Sequence, residues 1–283
     1  MTERTHLFEV STLYGLATLN AAVRAGLFPD AGRTVLICSN NAAVPEAVAD
    51  LPESPAFARL AAPFDEVVSY NSAVSPLHPS AWMPSESEMP LWERYFRMAW
   101  GLGDEPVHLV VESIQVAPAQ ALAWAFPQAS IDVYADGLMS YGPTRNKILS
   151  EVGSRIERLL YLDLVPGLQP LLLEEFPVAR EVIDSDQFRG VLAELGENAP
   201  LPDTHERFAL LLGQYLAPLG LISTAEEEAL HTLMLEAAHA RGHRRVVFKP
   251  HPTAPAALAG PMLARAEELG VAVEVFTEPV PDP

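Results

Sequence analysis

Cysteine and basic residues are scarce in this sequence. It has one cysteine, Cys38, and 18 lysine and arginine residues against 37 aspartate and glutamate residues. A single cysteine excludes an intrachain disulfide framework and fits a reducing compartment. The formal net charge of −19 argues against a nucleic-acid partner, because phosphate backbones are bound by basic surfaces. The same charge argues against a broadly basic groove for a long anionic polymer.

Long apolar runs are also missing. No stretch reaches the length of a transmembrane helix, and the residues after Met1 lack the apolar core of a signal peptide. These absences predict a cytoplasmic protein without a transmembrane segment, and they leave peripheral membrane association open.

Several catalytic and cofactor motifs are absent. No Gly-x-Gly-x-x-Gly follows a strand, and neither a P-loop nor a Gly-x-Ser-x-Gly elbow occurs. His231, His239 and His243 lack cysteines or suitably spaced carboxylates beside them, so they predict no zinc site. Asp184-Ser185-Asp186 matches the Asp-x-Asp of some metal-dependent glycosyltransferases, but its context favours a helix N-cap. We therefore expect neither a resident cofactor nor a bound metal.

The remaining sequence is typical of a packed α/β protein. Hydrophobic residues make up 49% of the 283 positions, enough for two domains with separate cores. Strand patterns alternate with helical patterns, which predicts a doubly wound parallel sheet. Strands are predicted at 5–11, 34–39, 66–70, 107–112 and 131–135, and then at 208–212, 246–248 and 271–276.

These patterns divide the chain into three parts. Residues 1–165 are predicted to form an N-terminal α/β domain, and residues 166–204 a linker with helices, because prolines interrupt that region. Residues 205–283 are predicted to form a C-terminal α/β domain. Its three strands and two helices fall short of a complete nucleotide-binding sheet, so we expect either a domain truncated at its C-terminal end or one that lacks the last strands.

The clearest local signal follows the strand at 246–248. Lys249-Pro250-His251-Pro252 comes directly after it, and ligands of parallel α/β sheets bind at the carboxyl ends of strands. Lys249 and His251 are donors suited to a phosphate, and the two prolines fix the backbone around the imidazole. The other interpretation is a stiff turn without a ligand, and the spacing alone leaves both open.

A second charged group follows the strand at 131–135. Asp136 could serve as a general base, and Gly137 would permit a tight turn and the close approach of a ligand. A plain Asp-Gly turn is the alternative. Two doubly wound domains that face each other would place Asp136 across a cleft from His251. A base on one wall and phosphate donors on the other suit group transfer from a nucleotide-linked donor.

At these residues the sequence resembles a known family. The Asp-Gly of Tyr134-Ala135-Asp136-Gly137 and the His-Pro of Lys249–Pro252 look like the two signature motifs of bacterial sialyltransferases. Nearly the whole chain is similar to the bacterial alpha-2,8-polysialyltransferase-like family. The similarity runs through Ser11-Thr12-Leu13-Tyr14-Gly15, Ser39-Asn40-Asn41, Gly137-Leu138-Met139-Ser140-Tyr141-Gly142-Pro143 and Gly213-Gln214-Tyr215-Leu216.

The resemblance implies two Rossmann-like domains facing a cleft, the glycosyltransferase-B fold, with the acceptor side first and the nucleotide-donor side second. It also implies inverting, metal-independent transfer from CMP-sialic acid to a glycan acceptor, with Asp136 as the base and His251 as the acid at the CMP phosphate. The implied donor-site residues are Gly213, Gln214, Tyr215, Lys249, Pro250 and Pro252. The implied acceptor or cleft residues are Ser11, Thr12, Tyr14, Asn40, Gly137 and Arg145.

Two departures from the family pattern leave alternatives open. Ala135 stands where an acidic residue usually precedes the Asp-Gly, and no convincing serine/threonine motif follows the His-Pro strand. One alternative is a transferase that uses another nucleotide sugar or a CDP-polyol. The other is an inactive fragment, a non-catalytic remnant that binds a nucleotide or a glycan.

Overall fold

The computed structural model describes residues 4–42, 45, 49–135, 137–196, 207–213, 216–218, 220–250 and 256–276. The chain divides into two compact units, Met1–Glu197 and Asn198–Pro283. Five predicted site residues lie outside the described residues: Asp136, Gln214, Tyr215, His251 and Pro252.

The first unit is built on a seven-stranded parallel sheet. Its strands are β1 (Arg4–Val10), β2 (Ala31–Cys38), β3 (Glu66–Ser69), β4 (Val107–Val111), β5 (Ser130–Ala135), β6 (Ile156–Leu162) and β7 (Ala179–Ile183). Their order is β3-β2-β1-β4-β5-β6-β7, and every neighbouring pair is parallel. The chain runs outward from β1 to β3 and then returns to β4, on the other side of β1. This places a topological switch point between β1 and β4, where ligands of open parallel sheets bind.

Helices cover both faces of this sheet. They are α1 (Leu13–Arg24), α2 (Phe57–Ala61), α3 (Tyr70–Val74), α4 (Met89–Ala99), α5 (Ala119–Ala125), α6 (Ser150–Gly153) and α7 (Ser185–Gly196). Because strand residues alternate between faces, Leu7 and Leu109 pack in a core with α3, α4 and α5, whereas Phe8 and Val110 pack with α1, α2 and α7. Burial on both faces explains why the strands read as nearly continuous apolar runs.

The second unit has a three-stranded parallel sheet. Its strands β8 (Ala209–Leu212), β9 (Arg245–Lys249) and β10 (Ala272–Val275) lie in the order β10-β9-β8. Helices α8 (Thr224–Ala240) and α9 (Gly260–Leu269) pack on this sheet through Leu235, Phe248 and Met262. Across both units, none of the described helices is long and apolar enough to span a membrane.

Helix α8 begins with a capping box. The Ser223 hydroxyl accepts from the N–H of Glu226, and the Glu226 carboxylate accepts from the N–H of Ser223. This arrangement satisfies two N–H groups that the first turn of a helix leaves without partners. The sequence predicts a helix over 224–241 that is capped by Ser223 or Thr224, and this start is therefore confirmed.

Two strands of the first unit differ from the sequence-based expectation. The patterns predict helix and loop over 146–200, whereas β6 and β7 lie there and complete one side of the sheet. The predicted linker at 166–204 therefore contains the edge strand β7, paired with β6, and the helix α7, which contacts α1. Glu157 and Arg158 weaken the apolar pattern of β6, and the partner that neutralises Arg158 is brought to it only in the folded sheet.

That partner belongs to a buried polar network across the amino-terminal half of the sheet. Asp132 Oδ2 lies 2.9 Å from His108 Nε2 and accepts from Arg158 Nε at 3.0 Å. The ring centroids of His6 and His108 are 4.7 Å apart, and His6 Nε2 is 3.6 Å from Asp30 Oδ1. Burial, followed by the nearby His108, lowers the pKa of His6 to about 4. The network joins β1, β4, β5 and β6 below the strand ends that carry the predicted site.

Candidate active site

Most of the predicted acceptor-side residues follow the carboxyl ends of strands in the first unit. Ser11 and Thr12 follow β1, Asn40 lies two residues after β2, and Gly137 lies two residues after β5. Because all seven strands are parallel, these residues share one edge of the sheet. Arg145 is brought to the same edge, since its backbone N–H donates to Gln115 Oε1 at 2.6 Å, in the loop after β4.

The stretch from Ser11 to Gly15 has a clear local role in folding. Thr12 is the N-cap of α1, and its Oγ1 accepts from the N–H of Gly15 at 2.9 Å. A Cβ on Gly15 would lie 3.1 Å from the Tyr134 hydroxyl, so glycine lets α1 approach β5 closely. Tyr14 is partly exposed, and its ring packs edge-on against Phe188 of α7. These contacts account for much of the motif without a ligand.

A glutamate that the sequence analysis overlooked lies beneath this edge. Glu9 is buried in β1, where its carboxylate accepts from the Ser39 hydroxyl at 3.1 Å and from the N–H of Glu112 at 3.4 Å. Burial raises the pKa of Glu9 to about 7, against the lowering effect of these two hydrogen bonds. One side chain thus connects the ends of β2, β1 and β4. The available signal was an acid inside the apolar run Leu7-Phe8-Glu9-Val10.

Glu112 and Ser11 extend this polar group toward the surface. The Ser11 hydroxyl donates to Glu112 Oε2 at 3.3 Å, and the Tyr134 hydroxyl donates to the carbonyl oxygen of Glu9 at 3.1 Å. Glu112 is the first residue after β4, and β4 is the neighbour of β5 in the sheet. A second carboxylate therefore stands one strand away from the end of β5, and the sequence analysis did not single it out.

The backbone at Gly137 corrects one expectation. Its φ of −152° and ψ of −172° are extended, a conformation open to any residue, so Gly137 itself makes no tight turn. The chain bends just afterwards, where 138–141 form a short 3₁₀ helix and the Ser140 hydroxyl donates to the Gly137 carbonyl at 2.9 Å. A Cβ on Gly137 would meet nothing within 4 Å. The absence of a side chain there leaves space for a ligand to approach the backbone.

In the second unit, the structure brings three predicted donor-site residues together. Strands β8 and β9 are neighbours, with Leu212 opposite Lys249, and the N–H of Gly213 donates to the Lys249 carbonyl at 2.8 Å. A Cβ on Gly213 would lie 2.9 Å from Phe248 Cζ and 3.1 Å from Pro250 Cα. Only glycine therefore fits without displacing the backbone that carries the Lys-Pro turn.

A second overlooked glutamate holds the loop after Gly213. Glu227 of α8 is fully buried, and its two carboxylate oxygens accept from the N–H groups of Leu216 and Ala217, each at 2.9 Å. From the sequence alone, Glu226, Glu227 and Glu228 are alike, since all three fall at the start of the helix predicted over 224–241. The capping box uses Glu226, whereas Glu227 turns inward and fixes the loop that follows the predicted donor residues.

The family of this chain follows from a comparison of its sequence with family models. The model for alpha-2,8-polysialyltransferase (POLYST) matches residues 6–262, from β1 into α9. The chain belongs to the alpha-2,8-polysialyltransferase family. A comparison with curated protein sequences finds no significant match.

A comparison with solved structures finds proteins of low sequence identity. A Listeria monocytogenes protein described as a UDP-N-acetylglucosamine 2-epimerase aligns with a TM-score of 0.50 and 10% identity, over 98% of this chain and 70% of that one. A Thermobaculum terrenum O-GlcNAc transferase mutant aligns with a TM-score of 0.45 and 15% sequence identity, over 100% of this chain and 45% of that one. A Rickettsia africae glycosyltransferase aligns with a TM-score of 0.43 and 10% sequence identity, over 99% of this chain and 70% of that one. At such identity the Listeria likeness bears on the fold alone, and the predicted class is confirmed: α/β, of the glycosyltransferase-B type.

Membership in the polysialyltransferase family makes this protein a glycosyltransferase. Such an enzyme takes a sugar from a nucleotide-sugar donor and attaches it to a glycan acceptor. Predicted site residues make hydrogen bonds in both units. In the first unit the Ser11 hydroxyl donates to Glu112, and in the second unit the N–H of Gly213 donates to the carbonyl of Lys249.

Two further expectations concern metal binding. The N–H of Gln187 donates to Asp184 Oδ1 at 2.7 Å, so the N-cap interpretation of Asp184 is confirmed. Among the residues that the structure describes, no three histidine, cysteine, aspartate or glutamate side chains form a metal-binding group. His231 packs against Phe248 in the core of the second unit, with ring centroids 5.1 Å apart.

Proposed function

We propose that this polysialyltransferase-family enzyme transfers sialic acid, or a related acidic sugar, from a CMP-linked donor to a hydroxyl group of a glycan. The observation that carries this proposal is the family match over residues 6–262, which spans parts of both units. The Asp-Gly motif follows β5 of the first unit, and the Lys-Pro-His-Pro motif begins with Lys249, the last residue of β9 in the second.

In the proposed reaction Asp136 is the general base. Its carboxylate takes the proton of the acceptor hydroxyl while the acceptor oxygen bonds to the anomeric carbon of the donor sugar. The bond between that carbon and the phosphate oxygen breaks, and the electron pair leaves with CMP. A single displacement of this kind inverts the configuration at the anomeric carbon.

The departing phosphate is stabilised by the second motif. His251 donates a proton or a hydrogen bond to the leaving oxygen, and Lys249 adds positive charge at the same strand end. These groups supply the charge that a divalent cation provides in other transferases, so the proposed reaction is metal-independent. Two sets of hydrogen bonds support this assignment: the Gly213–Lys249 backbone bond, and the bonds that Glu227 accepts from the loop after Gly213. Both order the strand ends on which the donor residues lie.

Calorimetric titration of CMP, CDP and UDP into the protein tests the donor. We expect CMP to bind best, and His251→Ala to weaken its binding about tenfold or more, because a charge-assisted hydrogen bond is lost. His243→Ala, which changes a histidine of the same unit before β9, is the matched control and should bind CMP normally. Asp136→Asn should also keep CMP binding while it abolishes transfer from CMP-sialic acid.

Other outcomes would overturn parts of the proposal. A clear preference for UDP would point to another nucleotide sugar, and binding of CDP without transfer of sialic acid would point to a CDP-polyol. If no nucleotide binds, the chain is a non-catalytic member of its family and the reaction above is wrong.

A further inference from the structure

A cavity opens at the carboxyl edge of the first unit, beside the ends of β2 and β3. Its volume is about 190 Å³. The described residues that line it are Cys38, Ser39, Asn40, Asp50, Leu51, Pro52, Val67, Val68, Ser69 and Asn71. The cavity belongs to the unit and to the sheet edge that carry the predicted base, and the sequence analysis assigned only Asn40 of its lining to the acceptor side.

The lining combines apolar side chains with hydroxyl, amide and carboxylate groups. Leu51, Pro52 and Val68 provide apolar contact, and Asp50 brings a solvent-exposed carboxylate. Sugars present the matching surfaces, since their C–H faces pack on apolar side chains and their hydroxyls donate to carboxylates. None of the described lining residues is basic. An acidic sugar in this cavity would meet the charge of Asp50 with no cation to offset it.

The polar part of the lining is held rigidly. The side chain of Asn71 pairs with the backbone of Asn40 in both directions: its Oδ1 accepts from the Asn40 N–H at 2.9 Å and its Nδ2 donates to the Asn40 carbonyl at 3.0 Å. Ser39 donates to the buried Glu9 at 3.1 Å. Asp50 Oδ1 is only weakly engaged, at 3.4 Å from Asn40 Nδ2. The cavity is therefore preformed, and its exposed carboxylate can accept from a ligand.

None of the described basic residues of the first unit lines this cavity. Five of the unit's 11 arginines are engaged within the fold as follows: Arg24 with Glu194, Arg33 with Glu66, Arg97 with Glu93, Arg155 with backbone carbonyls and Arg158 with Asp132. Arg145 lies at the carboxyl edge and Lys147 is two residues further along the chain, but both follow β5 rather than β2. These basic groups are therefore not part of the described lining of the cavity.

From these observations we propose that the cavity is an acceptor subsite for an uncharged sugar. This inference rests on the proposed function. Strands β2 and β5 are separated by β1 and β4, so three strand spacings, roughly 14 Å, lie between the cavity and the strand that carries Asp136. A short oligosaccharide spans that distance. The sugar in the cavity is then an internal residue of the acceptor, and the protein adds an acidic sugar to a neutral glycan rather than extending a long acidic polymer.

Ligand binding by the whole protein tests the subsite without requiring turnover. The probes are a neutral N-acetyllactosamine tetrasaccharide and a tetramer of α2,8-linked sialic acid, each followed by saturation-transfer NMR and calorimetry. We expect the neutral probe to bind and the sialic acid tetramer to bind at least about tenfold more weakly. Asp50→Lys should weaken the binding of the neutral probe about tenfold or more. The substitution removes a charged hydrogen-bond acceptor from the lining and replaces it with a longer side chain.

Glu53→Lys is the matched control. Glu53 is exposed on the short 3₁₀ helix after Asp50, does not line the cavity, and undergoes the same change of charge. It should leave the binding of the neutral probe unchanged. CMP titration of the same samples separates this inference from the donor assignment, because a protein that fails to bind CMP can still bind the neutral probe.

Three results would overturn the inference. The first is equal or tighter binding of the sialic acid tetramer, the second is an equal effect of Asp50→Lys and Glu53→Lys, and the third is no binding of the neutral probe to the wild-type protein. In a transfer assay, the corresponding contrary result is repeated elongation of the sialic acid tetramer in preference to a single addition to the neutral glycan.

Discussion

Glu227 and Glu228 are neighbours in α8, yet their side chains have different roles. Glu227 is fully buried and clamps two backbone N–H groups, whereas Glu228 is only half-buried and its backbone carbonyl accepts from the Thr232 hydroxyl. A buried carboxylate is costly unless hydrogen bonds compensate for the loss of water, and the loop at 216–217 provides them. The helix thereby fixes the segment that follows Gly213.

Glu227→Gln should loosen that loop. An amide presents one acceptor oxygen instead of two, so one backbone N–H loses its partner, at a cost of about 1–3 kcal/mol. In hydrogen-exchange mass spectrometry, the amides of Leu216 and Ala217 should exchange roughly tenfold faster than in the wild-type protein. Glu228→Gln should leave their exchange unchanged, and the same exchange rate in both variants would show that the clamp does not hold the loop.

At the scale of elements, strand β6 is stabilised by a charge on its neighbour. Arg158 of β6 donates to Asp132 of β5 and, at 2.8 Å, to Glu181 of β7, so one arginine joins three adjacent strands. Asp132 is fully buried, whereas the side chain of Glu181 is 39% exposed. The two acidic partners of one cation therefore differ mainly in their burial.

Asp132→Ala should destabilise the first unit far more than Glu181→Ala does. Removing the buried partner leaves His108 without this carboxylate and Arg158 with Glu181 as its remaining acidic partner, at an expected cost of about 3–5 kcal/mol. The partly exposed Arg158–Glu181 pair is expected to contribute about 1 kcal/mol or less. All 4 tryptophans of the chain, Trp82, Trp92, Trp100 and Trp124, belong to the first unit. Urea unfolding followed by their fluorescence therefore reports this unit, and equal losses in the two variants would contradict the argument.

At the scale of the whole molecule, two buried groups in β1 give stability opposite dependences on pH. Burial lowers the pKa of His6 from 6.5 to about 4, beside His108, Asp30 and Asp132. The unfolded chain then binds more protons than the folded one between these values, so stability falls as the pH drops from 6.5 to 4. Burial raises the pKa of Glu9 from 4.5 to about 7, facing Ser39 and the backbone of Glu112, so stability falls as the pH rises from 4.5 to 7.

The variants Glu9→Gln and His6→Gln should separate these two contributions. Relative to wild type, Glu9→Gln should gain stability as the pH rises from 4.5 to 7, and His6→Gln should gain stability as the pH falls from 6.5 to 4. Each gain has an upper bound on the order of 3 kcal/mol. Tryptophan-monitored urea unfolding across this range measures both, and parallel profiles for all three proteins would show that neither group titrates as described.

The cytoplasmic location stays a prediction, based on a single cysteine and on the absence of long apolar runs in the sequence. Cys38 is buried beside Glu9, and burial raises the pKa of its thiol to about 12. The thiol is therefore protonated at neutral pH and a poor nucleophile. This property of the folded molecule is compatible with the predicted location but does not test it.

The sequence by itself determined most strands of both units, the α/β class and the family, because burial on two faces and short ligand-binding turns leave local patterns. Eight of the ten strands follow from such patterns, whereas β6 and β7 do not. The tertiary structure alone decided the partners of Arg158, Glu9 and Glu227 and the existence of the cavity beside Asn40. Each depends on groups from separate elements, such as Glu9 with Ser39 or Asn40 with Asn71, about 30 residues apart. Such pairs leave no periodic signal, since only folding brings the strand ends together.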